Sequence, residues 1–215
     1  MRIAVWGAGA IGGVVGAWIS RAGIDVLLVD RDRTHVEAIR EAGLVVDGVR
    51  GEFRAIVPAL MPTEVEGSFD LILLAVKCLH TEEAVATLAH HLASDGAVVS
   101  LQNGLNEVII AARLGEQRTI GCFVNFSADW QAPGYIQHGG EHPIYVGELN
   151  GIRSSRIEQV ATLLNTFCET LITDNIWGYL WSKLCYASLL FCTALVDAPV
   201  HEVVRDEVAA PVLFA

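Results

Sequence analysis

The first thirty residues constrain this chain most: MRIAVWGAGAIGGVVGAWISRAGIDVLLVD. An apolar run, residues 3–6, leads straight into Gly7-Ala8-Gly9-Ala10-Ile11-Gly12. A helix-compatible stretch over 13–21 follows, then a second apolar run, 26–29, closed by Asp30. Strand, glycine turn, helix, strand and acid in that order form a dinucleotide-binding fingerprint in its required context. Gly7 permits the tight turn, Gly9 lets a pyrophosphate approach the backbone, and Gly12 lets the helix lie close to the sheet. Phosphates then meet unpaired N–H groups at the positive end of the helix dipole. The competing reading is a secretory leader, since the stretch after Arg2 is uncharged to Ser20. Its glycines make a poor apolar helix, and Gly23-Ile24-Asp25 is a poor cleavage site.

Composition narrows the function classes. The chain has 215 residues, enough for one large domain or one domain and part of another. Its 53% hydrophobic content fits a parallel sheet buried on both faces, whose strands are continuously apolar. The uncharged run 184–196 is too short to span a bilayer. A formal net charge of −11 disfavours a nucleic-acid or anionic-membrane partner. Five cysteines without a CxxC pair read as reduced, buried thiols of a cytoplasmic protein. The seven histidines show no metal-ligand spacing, so no metal is expected, and His90-His91 is placed at a helix end.

Further along, 33–42 reads as a helix ending at Gly43, and 44–47 with 52–57 as a hairpin-like excursion. Residues 70–76 form another buried strand, Thr81 caps a helix over 82–92, and 97–101 is the next strand. A turn at Gln102-Asn103-Gly104 leads to a short helix over 107–114. Strand–helix alternation predicts an α/β, Rossmann-type doubly wound sheet. Beyond it, 119–126, 135–138 and 144–146 read as antiparallel strands appended to that sheet. A helix over 154–167 and an extended link at 171–173 precede a long helix, capped by Asp174 or Asn175 and reaching about Leu195. A last helical segment is expected over 203–213. The predicted division is a dinucleotide-binding domain, 1–170, and the start of an apparently incomplete α-helical domain, 171–215.

Ligands of doubly wound sheets bind beyond the carboxyl ends of the strands. Asp30, Lys77 and Asn103 all stand at such ends. Lys183 is the fourth candidate. It opens a helix face that continues through Ala187, Leu190, Phe191 and Ala194. A lysine at the end of an apolar stripe has its charge destabilised unless partnered, which suits a proton donor.

GAGAIG, Ala75-Val76-Lys77, Leu101-Gln102-Asn103-Gly104-Leu105 and Leu180-Trp181-Ser182-Lys183-Leu184 occur in this order. With Pro133-Gly134 and Gly147-Glu148, the set resembles the ketopantoate reductase (2-dehydropantoate 2-reductase) family from residue 1 to about 195. The resemblance implies a cytoplasmic enzyme of pantothenate biosynthesis that uses NADPH to reduce a 2-keto acid to a 2-hydroxy acid. It implies that Lys183 protonates the carbonyl oxygen as hydride arrives. Asn103 then positions nicotinamide and substrate, Lys77 contacts cofactor or substrate, and Arg31 reads the 2′-phosphate. Asp30 points the other way, since a carboxylate holds a ribose diol and repels a 2′-phosphate, so NADH stays open.

Two departures bear on function. Ala187 and Phe191 stand where the family commonly carries substrate-binding asparagines, which leaves the substrate open and favours a less polar keto acid. Family members also continue for most of a further helical domain. The alternative expectation is therefore a non-catalytic dinucleotide-binding protein, or a truncated member with little turnover. A reductase of another Rossmann family is a third. Apolar surface left on an incomplete domain would favour self-association, as in a homodimer.

Overall fold

The computed structural model describes residues 1–213. In chain order the elements are β1 (Ile3–Trp6), α1 (Ala10–Arg21), β2 (Val26–Val29), α2 (Arg33–Ala42), β3 (Leu44–Gly48), β4 (Phe53–Ala55) and β5 (Ala59–Leu60). Then come β6 (Phe69–Leu74), α3 (Thr81–Leu88), β7 (Leu92–Ser100), α4 (Asn106–Leu114), β8 (Thr119–Phe123), β9 (Ala128–Ala132) and β10 (Tyr135–His138). The chain continues through β11 (Ile144–Glu148), α5 (Ser155–Leu164), β12 (Thr170–Ile172), α6 (Ile176–Thr193), α7 (Val200–Arg205) and α8 (Ala209–Leu213).

Eight strands form the main sheet in the order β12-β11-β8-β7-β6-β1-β2-β5. From β5 to β8 every pairing is parallel, giving the doubly wound order 3-2-1-4-5-6. β1 lies at its centre, with Ile3 opposite both Val26 and Leu71. All four of its residues are buried, as expected of a strand covered on both faces. One core, containing Val5, Leu28 and Leu73, fills one face of the sheet, and a second, containing Ala4, Ile72 and Leu74, fills the other. The order reverses between β1 and β6, and the turns leaving those two strands touch. A Cβ on Gly7 would lie 2.7 Å from the Val76 backbone nitrogen.

α1 is the central helix. A second sheet, in the order β4-β3-β10-β9, covers the side turned away from the main sheet. A Cβ on Gly16 would stand 2.4 Å from Leu28 of the main sheet, and one on Gly13 would stand 2.3 Å from Ile136 of the small sheet. The glycines that make α1 a poor isolated helix therefore let two sheets close on it. Burial against both offsets a propensity cost of roughly 1 kcal/mol per interior glycine.

Several expectations need correction. β8 runs parallel to β7, with Val98 opposite Thr119, and only β11 pairs antiparallel with it. β10 does not join the main sheet; it pairs in parallel with β3 and antiparallel with β9. The link at 171–173 is an edge strand paired with β11, and Ala59–Leu60 adds a strand that no sequence run signalled. Thr81 is the first residue of α3 rather than its cap, and His80 precedes it without capping. His90 and His91 lie in a 3-10 turn that carries α3 into β7. Of the cysteines, Cys122 and Cys168 are buried; Cys78 is exposed on the turn after β6, and Cys185 and Cys192 are exposed on the uncovered face of α6. Among the described residues, no helix is long and apolar enough to cross a membrane.

Candidate active site

The glycine turn comes first. Gly7 takes φ +98°, a left-handed conformation that a side chain would strain, and its N–H donates to the Val29 carbonyl at 2.8 Å. Gly9 begins α1 without a side-chain cap, and a Cβ built there meets nothing within 4 Å. Gly12 differs: its Cβ would fall 2.0 Å from the Gly7 carbonyl oxygen and 2.8 Å from Val5. Uncapped helix N–H groups and open space at Gly9 fit a bound phosphate pair. Ala8 is buried, and Ala10 and Ile11 open the helix behind the turn.

Beside Gly9 lies a pocket of about 280 Å³ lined by Gly9, Asp30, Asp32, His35 and Trp130. The Asp30 carboxylate accepts the Asp32 N–H at 2.9 Å. Asp32 caps α2 by accepting the N–H groups of Thr34 and His35. His35 is buried and ties this pocket together. Its Nδ1 accepts from the Gly134 N–H at 3.0 Å and the Trp130 indole N–H at 3.3 Å. Since neither partner can accept, Nε2 carries the proton and donates to the Ala8 carbonyl at 2.9 Å. The glycine turn is thus fastened to the β9–β10 hairpin. Asp32, His35 and Trp130 were not singled out from sequence. The usable signal was Asp32-x-Thr34, a helix-capping pair directly after the strand-end acid.

Arg31 does not line that pocket. Its guanidinium reaches the turn after β6, with Nη2 2.8 Å from His80 Nε2 and Nη1 3.3 Å from Nδ1. The Glu83 carboxylate stands 4.0 Å away.

Lys77 and Asn103 are both exposed, on the turns after β6 and β7. Buried Gln102 joins the two turns, its amide donating at 2.8 Å to the Val76 carbonyl and to the Thr81 hydroxyl. Thr81 donates in turn to Asn106, and the Asn106 amide donates to the Asn103 carbonyl. The Gln-Asn-Gly run therefore sets a rigid floor, with Asn103 facing outward from it. Glu107, in the first turn of α4, is wholly buried. Its carboxyl oxygens and the Ser100 hydroxyl have no hydrogen-bond partner among the described residues. Burial pushes the Glu107 carboxyl up to about 7.

α6 brings Lys183 to the same rim. Asn175 caps the helix by accepting the Gly178 N–H at 3.0 Å. Two glycines let the helix approach the sheet: a Cβ on Gly121 would lie 2.7 Å from Ile176, and one on Gly147 would lie 2.6 Å from the Thr173 carbonyl. The half-buried Lys183 amine then donates to the carbonyl of Val124, the residue after β8. It also sits 5.3 Å from the centre of the Phe123 ring. Burial lowers its pKa from the ordinary lysine value, with neighbouring Cys122 acting in the opposite direction. Ala187 and Phe191 continue its helix face, and Phe191 is 76% exposed. Tyr186 is exposed as well. Glu148, of the Gly147-Glu148 pair, is a structural clamp whose carboxylate takes Ser154 and Arg156.

Asn103 leaves β7, and Lys183 is held where the chain leaves β8, the neighbouring parallel strand. Both groups therefore belong to the carboxyl rim of the parallel sheet, on the turns that follow neighbouring strands. Asp30 and the glycine turn serve the other half of the same rim.

Comparison with known proteins shows what the chain is similar to. The 2-dehydropantoate 2-reductase of Pyrococcus abyssi is 35% identical over 189 residues, covering 85% of this chain and 60% of the relative. This chain thus spans less than two thirds of that protein's length. The structure of 2-dehydropantoate 2-reductase from Geobacter metallireducens superposes with a TM-score of 0.89 at 30% identity, covering 99% of this chain and 71% of that one. A D-mandelate dehydrogenase solved with NADH and anilino(oxo)acetate superposes with a TM-score of 0.88 at 26% identity, covering 99% of this chain and 70% of that one. The profile of the family described as ketopantoate reductase PanE/ApbA matches residues 3–151, from β1 through β11. With that match running through the glycine turn, Lys77 and Asn103, and relatives at this identity continuing past it, the chain belongs to the ketopantoate reductase PanE/ApbA family.

Proposed function

We propose that this chain is a nicotinamide-dinucleotide-dependent reductase that converts a 2-keto acid to a 2-hydroxy acid, with Lys183 as proton donor. One observation carries the reading: a half-buried amine, its pKa lowered by burial, is held on the Val124 carbonyl at the carboxyl rim of a doubly wound sheet. When bound, the reduced nicotinamide supplies a hydride to the carbonyl carbon. The turn from Gly7 to Gly12 holds the pyrophosphate, and Asp30 faces the ribose. Asn103 orients the reacting carbonyl from the floor that Gln102 fixes. Lys183 gives its Nζ proton to the carbonyl oxygen as negative charge develops there, so the C=O bond becomes CH–OH. The Val124 carbonyl holds the amine in place beforehand. Lys77, exposed and cationic, meets the substrate carboxylate or the cofactor. The division of labour places the dinucleotide on residues 1–170, with α6 opening the substrate side.

Ala187 and Phe191 on the Lys183 face favour a keto acid with an apolar substituent. The D-mandelate dehydrogenase likeness supports an aryl group there.

The test is oxidation of NADH and of NADPH by this chain with a panel of 2-keto acids that includes 2-dehydropantoate, branched aliphatic acids and phenylglyoxylate. Lys183→Ala should lower kcat by roughly 10²–10⁴-fold with dinucleotide affinity unchanged. Lys183→Arg should not restore it, because guanidinium holds its proton too tightly. Near-normal kcat in the alanine variant would move the donor elsewhere, with Tyr186 the next candidate. Dinucleotide binding without turnover of any keto acid would make the chain a binding module instead.

A further inference from the structure

Arg31 and Asp30 are neighbours in sequence but serve different surroundings. Asp30 and Asp32 both line the pocket beside Gly9, and each carboxylate is fixed by backbone N–H groups. Such a pocket offers acceptors. It suits hydroxyl donors and opposes a second negative group placed between two carboxylates. The cations that could offset them are engaged elsewhere: Arg31 sits on His80, outside the pocket lining and 4.0 Å from the Glu83 carboxylate, and Arg33 pairs with Glu37. A neutral imidazole has one acceptor nitrogen, so the 2.8 Å contact to Nε2 is the hydrogen bond and the 3.3 Å contact flanks it. His80 itself comes from the turn after β6, so this pair bridges the two turns that flank the ribose end of the rim.

We propose that His80 is a specificity-determining residue that holds the Arg31 guanidinium off the Asp30–Asp32 pocket and so tilts the chain toward NADH over NADPH. This rests on the dinucleotide reading above and departs from the NADPH use that the family resemblance implies. With His80 in place, a ribose bearing free 2′- and 3′-hydroxyls meets carboxylate acceptors. A 2′-phosphate meets the same carboxylates without a guanidinium beside them. Without His80, the Arg31 side chain is released. It carries five N–H donors on a long stem, and it can swing to the pocket mouth and pair with the phosphate.

The experiment is calorimetric binding of NADH and NADPH to the full chain, repeated with the fragments 5′-AMP and 2′,5′-ADP, which isolate the ribose end. The variants are His80→Ala, His80→Phe, Arg31→Ala and the His80→Ala/Arg31→Ala double. Wild type should bind NADH and 5′-AMP more tightly than their 2′-phosphorylated counterparts. His80→Ala and His80→Phe should each shift the ratio toward the phosphorylated ligand by roughly 3–10-fold, the worth of one solvent-facing hydrogen bond. In the Arg31→Ala background His80→Ala should shift nothing. An unchanged ratio in both His80 variants, an equal shift without Arg31, or a wild-type preference for NADPH would each overturn the proposal. Failure of wild type to bind either dinucleotide would instead remove the reading beneath it.

Discussion

Gly9 and Gly12 stand three residues apart and lack a Cβ for opposite reasons. At Gly12 the space is filled by the Gly7 carbonyl, Val5 and Ala75; at Gly9 it is open. Gly12→Ala must displace backbone, a clash worth about 3 kcal/mol or more. Its Tm should fall by roughly 6–12 °C in a chain of this size. Gly9→Val, at a negative φ of −65°, should leave Tm within about 2 °C yet abolish dinucleotide binding by calorimetry. Equal thermal losses in both would mean that Gly9 has a packing role after all. The fingerprint glycines were legible because each sits at a fixed offset from a strand end. Lys77, Asn103 and Asp30 were legible for the same reason. Lys183 was legible only as a lone cation on an apolar face, since nothing local shows that Gly121 and Gly147 let its helix reach β8. His35 was illegible: it reads as one more residue on the buried face of α2, beside Val36 and Ile39, and its partners lie 27, 95 and 99 residues away.

Between elements, the decisive contact is the one His35 makes. It links the turn before α1, the start of α2 and the β9–β10 hairpin through three hydrogen bonds. His35→Ala leaves the Ala8 carbonyl and the Gly134 N–H unpaired. Each buried unsatisfied group costs about 1–3 kcal/mol, so a loss of roughly 2–6 kcal/mol is expected in urea unfolding. Trp130 is 46% exposed, and its indole N–H finds water instead. Amide exchange at Gly134 should quicken more than at β6 or β7; uniform quickening would point to global destabilisation instead. Most elements could be read from hydrophobic runs, including β1, β2 and α2 to the residue. Pairing could not. β8 and β10 have similar texture, yet one joins the parallel sheet and the other leaves it for β3. That choice is made by what lies on either side of α1, and no window of sequence contains both partners. β5 and β12 are two and three residues long, too short for any period to show.

For the molecule as a whole, Glu107 sets a pH dependence. Its carboxyl is raised from 4.5 to about 7 in the fold, because burial penalises the charged form. Below about pH 4.5 the proton is bound in folded and unfolded chains alike, and the group costs nothing. Between about 4.5 and 7 the unfolded chain releases its proton first, so stability falls as pH rises. Above about 7 the loss is complete, roughly 3 kcal/mol. Glu107→Gln cannot ionise. Its stability relative to wild type should therefore improve by about that amount between pH 4.5 and pH 8 in urea unfolding. A difference that does not move with pH would mean that the carboxyl titrates normally. The small sheet carries a further consequence, for the order of events at the ribosome. β3 takes β10 as its parallel neighbour, Val45 against Tyr135, and β10 closes the outer side of α1. A nascent chain that has already made its phosphate-binding turn, complete at Gly12, must wait for about 120 more residues, roughly 6–25 s of translation, before Tyr135 arrives and that turn is enclosed. Until then the glycine helix has only half its shelter, and the dinucleotide has no finished seat to bind.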